Sequence, residues 1–70
     1  MLLSNTQVKN PGIYLCKYKS ADRWEQVEVL ASDDILIVKF AYAIFDIASE
    51  DMALFEFMPV TIKDNNRSIS

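Results

Sequence analysis

Acidic side chains are the most numerous groups in this sequence that can take part in chemistry. Ten Asp and Glu residues stand against seven Lys and Arg residues. Paired carboxylates act as general acids and bases, but this work needs a pocket that a short chain rarely encloses. Carboxylates also bind divalent cations, yet the EF-hand spacing with its central Gly is missing. We therefore predict no catalytic residues, no metal site and no cofactor.

The distribution of these carboxylates favours a binding surface. Residues 33–56 carry six of them against Lys39, a net charge of −5, whereas residues 1–23 carry four cations against Asp22, a net charge of +3. An acidic face can compete for a basic surface on a partner, including one that normally holds nucleic acid. The alternative is that these carboxylates only lie on solvated loops at the rim of the fold. The predicted partner-binding carboxylates are Asp33, Asp34, Asp46, Glu50, Asp51 and Glu56.

The residues needed for nucleophilic catalysis are scarce. The sequence has no His and one Cys, Cys16, which lies in a strand-like run. A lone Cys in such a run is typical of a small buried hydrophobe, and no His is present to activate it. We therefore expect a protein that is not an enzyme. A single Cys also suits a reducing compartment, which predicts the cytoplasm.

A second set of candidates combines aromatic rings with cations. Its members are Tyr14, Lys17, Tyr18, Lys19, Arg23 and Trp24. Aromatic side chains flanked by cations can stack bases or hold a proline-rich peptide. The alternative is that both tyrosines pack in the core and that Trp24 covers one end of the fold. We include Tyr18 and Trp24 among the partner-binding residues.

Runs with a period of two predict the first strands. Residues 12–19 and 24–31 alternate and are rich in β-branched and aromatic residues, so we expect a hairpin joined through residues 19–23. One face of the first run carries Tyr14, Cys16 and Tyr18, and the wetter face of the second carries Trp24, Gln26 and Glu28. Residues 34–40 are apolar on both faces, as is typical of a central strand.

The next stretch, ILIVKFAYAIFDI at 35–47, has three interpretations. One strand of this length runs more than about 40 Å, too long for the available partners. A helix over about 40–55, packed on a three-stranded sheet, agrees with the apolar spacing and four alanines. We prefer a reversal at 41–43, where small side chains let the chain turn without Gly. The elements that follow are then a fourth strand at 44–48, one short helical turn near 49–53 capped by Ser49, and a fifth strand at 54–62.

The fifth predicted strand is apolar on both faces, which invites pairing with another chain. The residues predicted for self-association are Phe55, Phe57 and Met58. The alternative is that the strand is enclosed within its own domain.

These elements predict an all-β fold, a small antiparallel five-stranded SH3-like barrel with one helical turn before the last strand. The alternative is α+β, with the helix described above. We divide the chain into an N-terminal arm at 1–10, a single β domain at 11–62 and a mobile tail at 63–70.

The stretch PGIYLCKYKSADRWEQVEVL, followed by an apolar strand and by SED and FEFMPV, resembles small hypothetical proteins of phages and prophages. Those proteins share a G-x-Y strand, a W-x-x-V-E-V strand and a terminal strand that closes in Pro. The resemblance covers about residues 11–60 and carries no catalytic residues. It implies a small accessory protein of viral or mobile-element origin.

We therefore expect a non-enzymatic protein-interaction module that binds a host or viral protein complex through its acidic face, for example as an inhibitor of host defence. A nucleic-acid-binding barrel that uses the aromatic and basic hairpin is the first alternative, although a net charge of −3 argues against it. A self-assembling structural subunit, with a homodimer as its simplest form, is the second. No apolar run reaches the ~20 residues that a membrane-spanning helix needs.

Overall fold

The computed structural model describes residues 2–60. The predicted mobile tail at 63–70 lies outside the described residues, and so does the end of the strand predicted at 54–62. The described elements are the 3-10 helix η1 (Asn5–Gln7), strands β1 (Gly12–Tyr18), β2 (Glu25–Ser32), β3 (Ile35–Lys39) and β4 (Ile44–Asp46), the 3-10 helix η2 (Met52–Leu54) and strand β5 (Phe55–Pro59).

The five strands form one antiparallel sheet in the order β4-β3-β2-β1-β5. The predicted five-stranded all-β fold is confirmed, and the alternative helix over about 40–55 is wrong. Closure of the sheet into a barrel is not confirmed, because β4 and β5 are its two edges within residues 2–60. Closure depends on the tilt and stagger of all strands together, which an alternating pattern does not specify.

The predicted hairpin is confirmed by the register of β1 on β2. Tyr14 lies opposite Val27, and Cys16 lies opposite Glu25. The side chains of Tyr14, Cys16 and Val27 are buried, whereas Leu15 between them is half-buried and Gln26 is exposed. We call the face that carries the buried residues the inner face and the opposite one the outer face.

The chain reverses at 41–43, as predicted, without a glycine. The amide of Phe40 donates to the carbonyl of Ala43 at 2.8 Å, which closes the turn. β4 is shorter than the predicted 44–48 because the Asp46 side chain accepts a hydrogen bond from the amide of Ala48 at 2.8 Å. Such a side-chain turn competes with the strand for backbone donors. The predicted side-chain cap is wrong, because the Ser49 hydroxyl is buried without a hydrogen-bond partner.

The N-terminal segment covers one part of the inner face. Leu3 and Phe57 exchange two backbone hydrogen bonds of 2.8 Å along the edge of β5. The side-chain amide of Asn5 donates to the carbonyl of Ile47 at 2.9 Å. Val8 is buried in the same core as Tyr14. This cover supplies apolar burial that a one-sheet domain of this size otherwise lacks.

Candidate protein-interaction site

A groove opens at the end of the inner face where β1 finishes and β5 begins. Its cavity has a volume of about 250 Å³ and is lined by five aromatic residues, Tyr18, Phe40, Tyr42, Phe45 and Phe55, together with Asp51, Met52 and Leu54. We call these eight residues the aromatic groove. They come from β1, the reversal after β3, β4, the turn before η2, η2 itself and β5, so the whole topology is needed to assemble it.

Ring packing builds the groove from the core outwards. Phe40 is buried, and its ring centroid lies 5.5 Å from that of Tyr42, 5.6 Å from that of Phe45 and 5.6 Å from that of Phe55. Tyr18 stacks on Phe55, its register partner, with centroids 4.3 Å apart. Offset and edge-on ring pairs of this kind hold aromatic side chains in fixed positions. The groove therefore has a buried aromatic floor and exposed tyrosine walls.

Three exposed apolar side chains meet at this groove. Tyr42 is 71% exposed, Leu54 57% and Tyr18 52%, and they are three of the six large exposed hydrophobic residues within residues 2–60. Single exposed hydrophobic residues are ordinary, but a contiguous group beside a cavity is typical of an interaction site.

A second cavity of about 190 Å³ adjoins the aromatic groove and shares Tyr18, Tyr42 and Phe55 with it. Its lining also includes Arg23 and Glu25. The hydroxyl of Tyr42 donates to a carboxylate oxygen of Glu25 at 3.2 Å. Desolvation, followed by this hydrogen bond, raises the pKa of Tyr42 above its ordinary value. Tyr42 therefore keeps its hydroxyl proton at neutral pH, and it lies at the boundary between the two cavities.

The only thiol of the chain is buried beneath this second cavity. The Cys16 side chain is fully buried. Burial raises its pKa to about 12, and the carboxylate of Glu25 adds to the effect. A thiol with this pKa is not ionised at neutral pH, and the thiolate is the nucleophilic form.

The predicted acidic residues are divided between the two ends of the sheet. Asp33 and Asp34 form the turn between β2 and β3, and Asp46 ends β4 opposite Ile37. Asp51 lines the aromatic groove, and Glu50 precedes it in the chain. The five residue steps from Ile35 to Phe40 separate these ends by about 16 Å at the rise of a β-strand. The structure thus brings Asp51 to the aromatic groove but not Asp33 or Asp34.

The predicted aromatic and basic set is divided between the two faces. Tyr18 lies on the inner face, whereas the Lys17 ammonium lies 5.3 Å from the ring centroid of Trp24 on the outer face. Lys17 also forms an ion pair of 3.4 Å with Glu56, its register partner on β5. Trp24, Lys17 and Glu56 therefore form a separate cluster on the outer face, which the side chain of Tyr18 does not join.

The residues predicted for self-association are mostly inside the fold. Phe57 is fully buried and packs edge-on against Tyr14, with centroids 6.5 Å apart. Phe55 is buried beneath Tyr18. Met58 is half-buried opposite Leu15, which places it on the outer face. Of the three, only Met58 presents surface outside the inner face.

Sequence reasoning missed most of the aromatic groove, including Phe40, Tyr42, Phe45 and Leu54. The available signal was Tyr42, a large aromatic residue between two alanines in a predicted turn, where its ring has no strand neighbours to cover it.

Within residues 2–60, no group of three Cys, Asp or Glu side chains is arranged to hold a metal ion. No helix in this part of the chain has the length and apolarity needed to span a membrane.

Comparison of the chain with protein-family models, with curated proteins and with solved structures found no match. The geometry of the aromatic groove and of the surfaces around it is therefore the basis for a functional assignment.

Proposed function

We propose that this protein is a non-enzymatic protein-interaction module that holds a segment of a partner in the aromatic groove. The observation that carries the proposal is the convergence of Tyr18, Tyr42 and Leu54, all more than half exposed, on one cavity. Aromatic side chains on a rigid scaffold are the usual anchors of protein interfaces. The raised pKa of Cys16 and the absence of His from the sequence support a binding role rather than a catalytic one.

Carboxylates at the groove modify the acidic-face hypothesis. Asp51 is the one charged residue that lines the aromatic groove, so a partner with a basic segment meets complementary charge there. The turn at Asp33 and Asp34 is a separate acidic site. The groove therefore supports one compact acidic contact instead of a continuous acidic face.

The resemblance of residues 11–60 to phage and prophage proteins supports a further part of the proposal. The partner is then a host or viral protein complex in the cytoplasm. This protein modulates the complex by occupying a surface on it. Inhibition of a host defence complex is one such use, and its support is the resemblance together with the small size and acidic character of the chain.

The proposal is tested by affinity capture from a lysate of the native host, run with and without nuclease. The wild-type chain is compared with Tyr42→Ala and with the matched control Ile35→Ala. Ile35 is another exposed apolar residue, and it lies at the opposite end of the sheet. We expect one defined protein partner that the wild type and the control retain. With the partner purified, Tyr42→Ala should weaken binding at least about tenfold, as expected for an interface anchor.

Other outcomes contradict the proposal. A partner that Tyr42→Ala retains in full would place the interface elsewhere. Recovery that depends on intact nucleic acid would favour the nucleic-acid alternative, which uses Lys17, Lys19 and Arg23. Capture of this chain alone would favour self-assembly.

The contribution of the acidic residues is tested by two double variants that remove equal charge. Glu50→Gln with Asp51→Asn neutralises the groove side, and Asp33→Asn with Asp34→Asn neutralises the distant turn. We expect the first variant to weaken partner binding by about tenfold and the second to change it less than about twofold, because salt screens charges beyond about 10 Å. Equal losses would support the continuous acidic face, and no loss in either would exclude an acidic mechanism.

A further inference from the structure

We infer that the aromatic groove is built to receive one arginine side chain, with its guanidinium group among the aromatic rings and paired with Asp51. The inference rests on the proposed function and names the chemistry that the groove recognises in its partner.

The composition of the lining points to a cation. Five of the eight lining residues are aromatic, and the single charged residue among them is the carboxylate Asp51. Aromatic faces carry negative potential and attract cations placed within about 6 Å of the ring centroid. The adjoining cavity differs, because Arg23 and Glu25 give it both signs of charge. A cation is therefore favoured in the aromatic groove and not beside Arg23.

The carboxylate of Asp51 is available for such a pair. Asp51 occupies the N-cap position of η2, yet its side chain makes no capping hydrogen bond. The residue is also exposed, so its two oxygens can accept two parallel hydrogen bonds from an incoming side chain. Lys17, Lys19 and Lys39 are adjacent in sequence to residues of the groove, but none of their side chains is among the lining groups.

Arginine fits this lining better than other basic groups. Its planar guanidinium is weakly hydrated, stacks on aromatic rings and presents a fork of donors to a carboxylate. A lysine ammonium is more strongly hydrated than a guanidinium and has no planar face to stack on the rings, so its entry among the aromatic side chains is less favourable. A trimethylated lysine satisfies the rings but has no donor for Asp51.

The test uses capped single residues as probes and follows the ring protons of Tyr18, Tyr42 and Phe55 by nuclear magnetic resonance. The probes are N-acetyl-arginine amide, its neutral isostere N-acetyl-citrulline amide, and the lysine and trimethyllysine equivalents, each at millimolar concentration. We expect the arginine probe to shift these ring resonances and to bind more tightly than the other three. The citrulline probe has the same shape without the charge, so it should bind at least about tenfold more weakly.

Two conservative variants separate a specific pair from general electrostatic attraction. Asp51→Asn should weaken binding of the arginine probe about tenfold, whereas Asp33→Asn, with the same change in net charge, should alter it less than twofold. Tyr42→Leu keeps an apolar side chain at an exposed position but removes the ring, and it should also weaken the arginine probe. The dispersion of the remaining resonances confirms that each variant is folded.

The inference is overturned if citrulline binds as well as arginine, if trimethyllysine binds more tightly, or if Asp33→Asn and Asp51→Asn have equal effects. Absence of any shift at millimolar arginine also overturns it. None of these results removes the proposed function, because capture of a partner through Tyr42 is measured separately and does not depend on which side chain enters the groove.

Discussion

Tyr14 and Tyr18 lie four residues apart on the same face of the same strand, yet only one of them belongs to the core. Tyr14 is 6% exposed, packs edge-on against Phe57 and donates its hydroxyl to the carbonyl of Asn10 at 2.7 Å. Tyr18 is half exposed and stacks on Phe55. Identical residues in equivalent strand positions therefore have different roles, one in stability and the other at the aromatic groove.

The difference arises from what covers each end of the inner face. The N-terminal segment supplies Val8 and the carbonyl of Asn10 at the Tyr14 end. At the Tyr18 end, the reversal at 41–43 places Tyr42 in the lining of the same cavity, and both side chains stay exposed. An open end lined by rings that already pack on one another suits an interaction site, because side chains held by their neighbours lose less entropy on binding.

Truncation of the two tyrosines gives the largest expected effect. Tyr14→Ala should lower the free energy of unfolding by about 3–5 kcal/mol, as for other large aromatic residues in cores. Tyr18→Ala removes a half-exposed ring and one stacking contact, so it should cost about 1 kcal/mol. Urea unfolding followed by tryptophan fluorescence measures both. Equal losses would mean that Tyr18 is a core residue and that the open groove is not a feature of the folded protein in solution.

The pH dependence of the unfolding free energy tests the burial of Cys16, which lies between the two tyrosines on β1. The pKa of the Cys16 thiol rises from 9.0 to about 12 on folding. Between these values the unfolded chain has lost a proton that the folded chain keeps, so stability falls as the pH rises, by up to about 1.4 kcal/mol per pH unit. Below 9.0 the contribution is fully present.

The measurement is the difference in unfolding free energy between the wild type and Cys16→Ala across this interval. Titrations of lysine and tyrosine residues are common to both chains and cancel. A difference that stays constant with pH would mean that solvent reaches Cys16 through the adjoining cavity, and the open end would then extend further along β1 than the structure indicates.

Removal of single hydroxyl groups sharpens the comparison with smaller effects. Tyr14→Phe should cost about 1 kcal/mol because it leaves the carbonyl of Asn10 without its donor in a partly buried site. Tyr42→Phe removes a longer, exposed hydrogen bond to Glu25 and should change stability by no more than a few tenths of a kcal/mol. Thermal unfolding of both variants measures these two losses of stability. A Tyr42→Phe loss as large as that of Tyr14→Phe would show that the Glu25 pair is structural.

Local patterns in the sequence were enough to predict the hairpin, the central strand and the glycine-free reversal at 41–43. Alternation assigns side chains to faces, and it assigned Tyr14, Cys16 and Tyr18 to one face correctly. Alternation does not say which end of a face a distant segment will cover. The burial of Tyr14, whose hydroxyl donates to the carbonyl of Asn10, and the exposure of Tyr18 were for this reason not predictable.

The aromatic groove could not be predicted from the sequence for the same reason. Tyr18 and Phe55 are neighbours only because β5 pairs with β1 at the edge of the sheet, 37 positions along the chain from one to the other. The acidic residues of 33–56 were grouped by their proximity in sequence. One strand of five residues between them is enough to place them at opposite ends of the domain.

Another small effect is expected at the acidic turn, which lies at the end of the sheet away from the groove. Asp33 has a φ of 55° and is the one non-glycine residue with positive φ within residues 2–60. Because a Cβ is unfavourable in this left-handed region, Asp33→Gly should raise the free energy of unfolding by about 0.5 kcal/mol. The adjacent Asp34 has no such conformation, so Asp34→Gly, which removes the same charge, should instead lower stability by about 0.5–1 kcal/mol.

Urea unfolding of the two variants distinguishes backbone strain from charge repulsion between the two carboxylates. Changes of opposite sign support strain, whereas equal gains in stability would show that repulsion dominates. In either case binding at the aromatic groove should be unchanged, since this turn lies about 16 Å from it along β3.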